Sequence, residues 1–328
     1  MKRILIAIMF FNLFNIGLAA QDTPVPRGQA KPQKEEIVMP PAWDSSRVFA
    51  QRDTCTLSMD LYMPKDSAAE HPCVVYVYGG GFVDNNQRSG STTAFCRRMA
   101  GEGYVTAAID YRKGLKGVKS SSPLAMADAM DVAVDLAVED LFAAVRYLLD
   151  NAAQLGIDTS RMVLIGSSAG AITVLQSDYE LSNRSTVTSG IPADFRFAGV
   201  VSLSGAIYSH EGKCDWRVHS PAPTMFLHGT SDGLVTYKQI RFFRMGFFGT
   251  KPLVERFRKF GYPFLCLRFD GRYHEVASFQ QICFGQICWF LDKFVDQKKN
   301  WQIDATVSDP DKDIAEPWTY GFDDLYKK

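Results

Sequence analysis

The chain has 328 residues, 46% of them hydrophobic and 22% charged, with 36 Lys and Arg against 36 Asp and Glu for a formal net charge of +0. That length and apolar fraction support one large globular domain with a sizeable core, and the lack of a basic excess argues against nucleic acid as a partner. Seven cysteines, at 55, 73, 96, 214, 266, 283 and 288, form no C-x-x-C pair and no Cys/His metal spacing, so neither a disulfide framework nor a structural metal site is expected.

In chain order, residues 1–20 carry Lys2 and Arg3, an apolar run from Ile4 to Leu18, and the small residues Ala19 and Ala20 before Gln21. This is the layout of a signal peptide cleaved near Ala20. The apolar run is short for a membrane span and is interrupted by Asn12 and Asn15. A secreted or periplasmic protein without a stable membrane span is therefore expected. Residues 21–41, rich in Pro, Gln, Lys and Glu, read as a flexible lead-in. A single domain over 42–300 and a C-terminal tail over 301–328, with Trp301, Trp318, Tyr320 and Phe322, complete the organisation.

Within 42–300, short apolar runs read as strands: Leu57–Met63, Val74–Tyr78, Val105–Asp110, Met162–Ile165, Phe197–Leu203, Thr224–His228 and Phe264–Phe269. Longer helical patterns fall between them, over Thr92–Gly101, Val134–Leu155, Ala169–Leu181 and Val276–Val295. Strands alternating with helices imply an α/β fold, a mostly parallel central sheet with helices on both faces. In such sheets reacting groups gather where strands end at their carboxyl side.

The most informative strand end is Gly166-Ser167-Ser168-Ala169-Gly170, which fits G-x-S-x-G directly after the apolar run Met162–Ile165. In that setting the chain turns sharply from strand into helix and exposes the serine hydroxyl, so Ser168 is the candidate nucleophile. Upstream, Gly79-Gly80-Gly81-Phe82 follows the run Val74–Tyr78. Three glycines let backbone N–H groups approach a ligand without Cβ obstruction; with no Gly-Lys-Ser/Thr after them, they suit an oxyanion better than a nucleotide phosphate.

Asp232 stands in the loop Gly229-Thr230-Ser231-Asp232-Gly233 after the next-to-last strand, and His274 follows the last strand in Asp270-Gly271-Arg272-Tyr273-His274-Glu275. Of the other histidines, His71 precedes a strand, His228 ends one and is placed to support the acid loop, and His210 and His219 precede the acid. Ser168, Asp232 and His274 thus fall in the order Ser, acid, His. Acyl transfer needs all three types. A serine hydroxyl is a poor nucleophile until a base takes its proton, and the imidazole needs a carboxylate to fix its tautomer and stabilise its charged form.

With these motifs the chain resembles the α/β-hydrolase superfamily, and within it the secreted carboxylesterases related to hormone-sensitive lipase. The resemblance runs from about Leu57 to Val295 through Tyr78-Gly79-Gly80-Gly81-Phe82, Asp110-Tyr111-Arg112, Gly166-Ser167-Ser168-Ala169-Gly170, His228-Gly229-Thr230-Ser231-Asp232 and His274. It implies the α/β-hydrolase fold, no cofactor and no metal, and an oxyanion hole formed by the N–H groups of Gly80, Gly81 and Ala169. Two departures are Tyr78, where the family usually has His, and Tyr273 and Glu275 around His274, where small residues are commoner. Lys113–Val132 reads as a solvated loop, and Phe242, Phe243, Met245, Phe247 and Phe248 as core packing around a helix end.

The resulting expectation is a secreted serine carboxylesterase acting on small acyl esters, including acetyl or feruloyl groups on polysaccharides. Two other readings stand beside it: a prolyl-peptidase-like serine hydrolase, and a non-catalytic binding protein on a hydrolase scaffold.

Overall fold

A computed structural model of the protein describes residues 44–308, except 67, 69, 120 and 121. The expected signal peptide and lead-in, and the tail beyond 308, lie outside the described residues.

The seven apolar runs, with two unexpected edge strands, Ser45–Gln51 and Gln302–Val307, form one sheet of nine: β1 (Ser45–Gln51), β2 (Thr56–Tyr62), β3 (His71–Val77), β4 (Val105–Ile109), β5 (Ile157–Ser167), β6 (Gly199–Leu203), β8 (Thr224–Gly229), β11 (Phe264–Phe269) and β12 (Gln302–Val307). Their spatial order is β1-β2-β4-β3-β5-β6-β8-β11-β12. The β1–β2 and β2–β4 pairs are antiparallel and every later pair is parallel. A strand paired on both sides needs apolar side chains on both faces, and β4 and β6 are buried at every position.

The crossovers are α1 (Gly90–Gly101), α2 (Pro123–Asp150) with the single turn α3 (Ala152–Leu155), α4 (Ala169–Asn183), α5 (Thr250–Phe260) and α6 (Phe284–Phe290). Local signals explain their starts. The Ser89 side chain accepts the Thr92 N–H at the head of α1, and Ser122 accepts that of Ala125 just before Pro123 opens α2. A left-handed Gly261 ends α5. A second sheet, antiparallel β7-β10-β9 from β7 (Ala206–Ser209), β9 (Gln239–Phe242) and β10 (Met245–Gly249), begins two residues after β6.

Several expectations are corrected. Residues 123–132, read as loop, are the first turns of α2, whose apolar positions Met126, Met130 and Ala133 are buried. The helical pattern Val276–Val295 is broken into a 3-10 turn (His274–Ser278), α6 and a π-helical turn (Leu291–Asp296). The aromatic cluster 242–248 is a β-hairpin, not a helix end: Phe248 is buried, while Phe243 stands 83% exposed at the tip with a positive φ. The sheet also continues past the expected boundary at 300, because β12 pairs in parallel with β11 from Phe264 to Phe269. All seven cysteines are free thiols.

The strand order positions the site. From β3 the chain steps outward to β4, then crosses back over β3 to reach β5. A crevice opens at the carboxyl ends of the two strands where the order reverses. Gly79–Gly81 follow β3 and Ser168 follows β5, so the glycine run and the candidate nucleophile flank that crevice.

Candidate active site

Ser168 sits between β5 and α4 with φ 52° and ψ −119°. This left-sided backbone is strained for a residue with a Cβ and persists only where the surroundings impose it. Here its N–H donates to the Leu203 carbonyl, its carbonyl accepts from Ile172 N–H, and the neighbouring Ser167 hydroxyl donates to the Ala277 carbonyl across the site. The flanking glycines leave no room for side chains. A Cβ on Gly166 would lie 2.3 Å from the Gly170 carbonyl oxygen, and one on Gly170 would lie 2.0 Å from that of Val77. The elbow therefore packs backbone against backbone, with half-buried Ser168 at its apex.

The hydroxyl of Ser168 lies 2.8 Å from His274 Nε2, and His274 Nδ1 lies 2.8 Å from Asp232 Oδ2. His274 is 3% exposed. The Nδ1 atom faces only a carboxylate oxygen, so it carries the proton, leaving Nε2 to accept from the serine. Asp232 is held by the N–H groups of Leu234 and Val235, each 3.0 Å from Oδ1. Burial opposes its charge, but the hydrogen bonds from His228 and His274 prevail and hold this carboxyl well below the usual carboxylate range. The two loops meet through Gly229, where an added Cβ would lie 2.3 Å from the carbonyl oxygens of Arg272 and Tyr273. The Ser231 N–H donates to that Arg272 carbonyl at 2.9 Å.

The glycine run lies against the elbow: a Cβ on Gly79 would come within 3.0 Å of Ser168 Cβ. Gly80 and Gly81 have φ of 152° and 60°, conformations that disfavour L side chains. The Gly80 carbonyl accepts from the N–H groups of Val83 and Asp84, which turns the segment and fixes it. Ala169 is the first residue of α4, so its N–H has no acceptor within the helix. Gly80, Gly81 and Ala169 thus belong to the two segments that approach Ser168.

Behind the run stands a brace that sequence reasoning marked only as a motif. Tyr78 donates its hydroxyl to Asp110 Oδ1 at 2.5 Å, and the Tyr111 hydroxyl donates to the Tyr78 carbonyl at 3.1 Å. Lys113 pairs with Asp110 at 2.6 Å and lies 4.1 Å over the Tyr111 ring. Burial pulls the Lys113 ammonium below its ordinary value although Asp110 opposes this. Lys113 is therefore part of the brace, whereas Lys116 and Lys119 are exposed. Arg112 fixes the far end on fully buried Asp140, at 2.9 Å. The other histidines stand apart from the serine: His71 faces the Gly103 carbonyl and His210 pairs with Asp131 at 2.9 Å. Among the described residues no group of three His, Cys, Asp or Glu side chains is placed to hold a metal, and no helix is long and apolar enough to cross a membrane.

The same architecture recurs among solved structures. A thermophilic esterase from the Planctomycetes species Thermogutta terrifontis superposes with a TM-score of 0.57 at 21% identity, over 78% of this chain and 92% of the other. The chain has the α/β-hydrolase fold. The same T. terrifontis enzyme phosphonylated by cyclosarin aligns at 20% identity with a TM-score of 0.56, over 78% of this chain and 94% of that one. A family model described as BD-FAE matches residues 59–207 of this chain, from β2 to β7. Curated relatives include a fumonisin B1 esterase of Sphingopyxis macrogoltabida, 28% identical over 39% of this chain and 23% of its own. A probable isoprenylcysteine alpha-carbonyl methylesterase of Oryza sativa subsp. japonica is 31% identical over 34% of this chain and 23% of its own. The acetylcholinesterase of Gallus gallus is 31% identical over 46% of this chain and 19% of its own. The match thus spans about a fifth to a quarter of these relatives' lengths.

Proposed function

We propose that this α/β-hydrolase is a serine carboxylesterase whose nucleophile, base and acid are Ser168, His274 and Asp232. The observation that carries the reading is the unbroken hydrogen-bonded chain from Ser168 Oγ through His274 to Asp232, each link 2.8 Å, on a strained turn beside a glycine run. The esterase relatives and neighbours support it.

In this mechanism Ser168 Oγ attacks the ester carbonyl carbon as its proton passes to His274 Nε2. The oxyanion that forms is held by the N–H groups of Gly80, Gly81 and Ala169, each such donor contributing about 3 to 4 kcal/mol in comparable sites. Asp232, kept ionised, stabilises the imidazolium. Collapse of the tetrahedral adduct breaks the bond to the leaving alkoxide, which takes the proton from His274. Water then gives a proton to His274, attacks the acyl-serine, and releases the acid as the proton returns to Ser168 Oγ. We assign small acyl esters as substrates, with acetyl or feruloyl groups on polysaccharides as the class to test first, and export directed by residues 1–20.

The experiment compares hydrolysis of p-nitrophenyl acetate, butyrate and octanoate by the protein and by Ser168→Ala, both shown to be folded. Activity confined to the parent protein, with covalent labelling of Ser168 by a fluorophosphonate, is expected. Equal rates in the two proteins exclude the mechanism. Cleavage of aminoacyl-proline amides in preference to the esters excludes the esterase reading.

A further inference from the structure

Asp232 receives two imidazoles, and the mechanism uses only one. His228, at the end of β8, is fully buried, and its Nε2 lies 3.2 Å from Asp232 Oδ2, the same oxygen that bonds His274. That Nε2 is also 3.0 Å from the Val235 carbonyl, and the opposite nitrogen, Nδ1, is 2.8 Å from the Thr250 hydroxyl. These partners assign the tautomer. Nε2 faces two acceptors and so carries the hydrogen, whereas Nδ1 faces a hydroxyl that donates to it. The His228 ring is thus anchored at both ends, with the Tyr237 ring edge-on 5.5 Å away. The N–H of His228 is hydrogen-bonded to the Val235 carbonyl, with Asp232 Oδ2 3.2 Å from the same nitrogen, so the positive end of its dipole lies beside Oδ2 and draws charge from the bond to His274.

We propose that His228 is a positioning residue of the site: its Nε2–H, bridging Asp232 Oδ2 and the Val235 carbonyl, fixes the carboxylate toward His274 and tempers the base strength of that histidine. The inference rests on the roles proposed above for Asp232 and His274. Orientation comes from this arrangement, because Oδ1 is pinned by the Leu234 and Val235 N–H groups while Oδ2 is confined between His274 Nδ1 at 2.8 Å and His228 Nε2 at 3.2 Å. Tempering follows from electrostatics. Without the His228 dipole, Asp232 Oδ2 concentrates its charge on His274 Nδ1–H and favours the imidazolium.

Charged groups on neighbouring elements have partners of their own. Arg268, across from His228 on β11, pairs with Asp304 on β12, and Arg272 lies 3.8 Å from Glu275 in the base loop. Glu275 also accepts the Tyr273 N–H. With Thr250, Tyr237 and His274 these complete the polar surroundings.

Three substitutions separate this role from a structural one. His228→Phe keeps a ring in the space but removes the donor; the acid limb of kcat/KM is expected to rise by about half a unit to one unit, with its plateau falling roughly tenfold as the carboxylate loses its hold. His228→Gln places an amide N–H near the Nε2 position and is expected to restore the parent limb. His228→Asn reaches only to the Nδ1 position and is expected to behave like Phe. The Nδ1–H proton of His274, followed by NMR without substrate, is expected to move downfield in Phe and Asn and not in Gln. An unchanged limb and an unmoved proton in folded Phe or Asn variants would overturn the proposal, as would Gln behaving like Phe. If the Phe variant does not fold, the Gln and Asn pair decides. Absence of Ser168-dependent hydrolysis in the parent protein would remove the esterase reading instead, while the proton resonance still reports what His228 does to the Asp232–His274 bond.

Discussion

Substituting Gly229 by Ala tests whether the acid and base loops are held at catalytic distance by backbone contact. Gly229 is absent from the positive-φ residues, so its backbone accepts alanine and the cost is steric. The new Cβ would lie 2.3 Å from the carbonyl oxygens of both Arg272 and Tyr273, against an ordinary C···O contact of about 3.3 Å. Both oxygens belong to backbone, so the two loops must part by about 1 Å. Asp232 lies three residues along one loop and His274 next to Tyr273 on the other, so their 2.8 Å hydrogen bond stretches to about 3.8 Å and is lost. Losing the acid's orientation of the histidine costs about 10⁴ in turnover in comparable triads, and overpacking adds about 1 to 3 kcal/mol of destabilisation. The assay is kcat on p-nitrophenyl acetate beside Asp232→Asn, with far-UV circular dichroism and a thermal melt. A drop of about 10³- to 10⁴-fold in a folded protein is expected. A folded Gly229→Ala variant with kcat within tenfold of the parent would refute the argument that this contact sets the geometry.

Other expectations follow from buried polar groups. Asp178 in α4 accepts the Ala222 N–H at 3.2 Å, and burial pushes its carboxyl from the ordinary 3.8 up to about 7. Because folding raises this pKa, the folded state holds the proton more tightly, and stability is lost as pH rises from about 4 to about 7. Asp178→Asn keeps an acceptor for Ala222 and removes that loss; denaturant unfolding should show a gain of up to about 4 kcal/mol at pH 8 that vanishes below pH 4. A gain independent of pH would contradict the assignment. Tyr78→Phe removes the hydroxyl bonded to Asp110, yet Lys113, Asn85 and the Tyr111 N–H remain on that carboxylate. Since the proposed oxyanion donors are backbone groups, kcat should fall less than about tenfold, while the melt shows a loss of about 1.5 to 3 kcal/mol.

Where a segment's fate was set by local chemistry, it could be read from the sequence. β11 runs over Phe264–Phe269 as expected, since a short apolar run bounded by Pro263 and Asp270-Gly271 admits little else. The central sheet followed from the alternation of such runs with helical patterns, and motif and chain order singled out Ser168, Asp232 and His274, side chains that the fold brings within hydrogen-bond distance. Segments whose burial depends on distant partners were not legible. The β12 run Gln302–Val307 has no fully buried residue and joins the sheet through backbone pairing to β11, the packing of Ile303 and the ion pairs of Asp304. The short hairpin of β9 and β10 finds its third strand, β7, across more than thirty intervening residues, as the register Phe248↔Ile207 shows. The α5 stretch is different, since Leu253, Val254 and Phe257 lie along one face of an otherwise charged helix, a periodic signal present in the sequence and masked only by its low overall hydrophobicity and by Pro252 in the first turn.

The same distinction explains why His228 appeared in the sequence only as support for a loop. A histidine at the end of an apolar strand is ordinarily a satisfied core residue, and its two hydrogen bonds to Val235 and Thr250 suffice for that role. What makes it more is the four-residue return of the chain after Gly229, tightened by the Asp232 N–H bond to the Gly229 carbonyl, which brings the acid back over its own strand. That return is closed within its own loop, whereas the close approach of Gly229 to the base loop sets the distance to His274. One glycine therefore serves both histidines: it lets His274 reach Asp232 from one side and folds Asp232 onto His228 from the other. If so, Gly229→Ala should lengthen the bond to His274 while leaving that to His228 intact. The His274 Nδ1–H resonance should then move upfield in Gly229→Ala, opposite to its movement in His228→Phe. Shifts in the same direction would mean that the two substitutions act through general loosening of the loop, and the division of Asp232 between two donors would fail as its explanation.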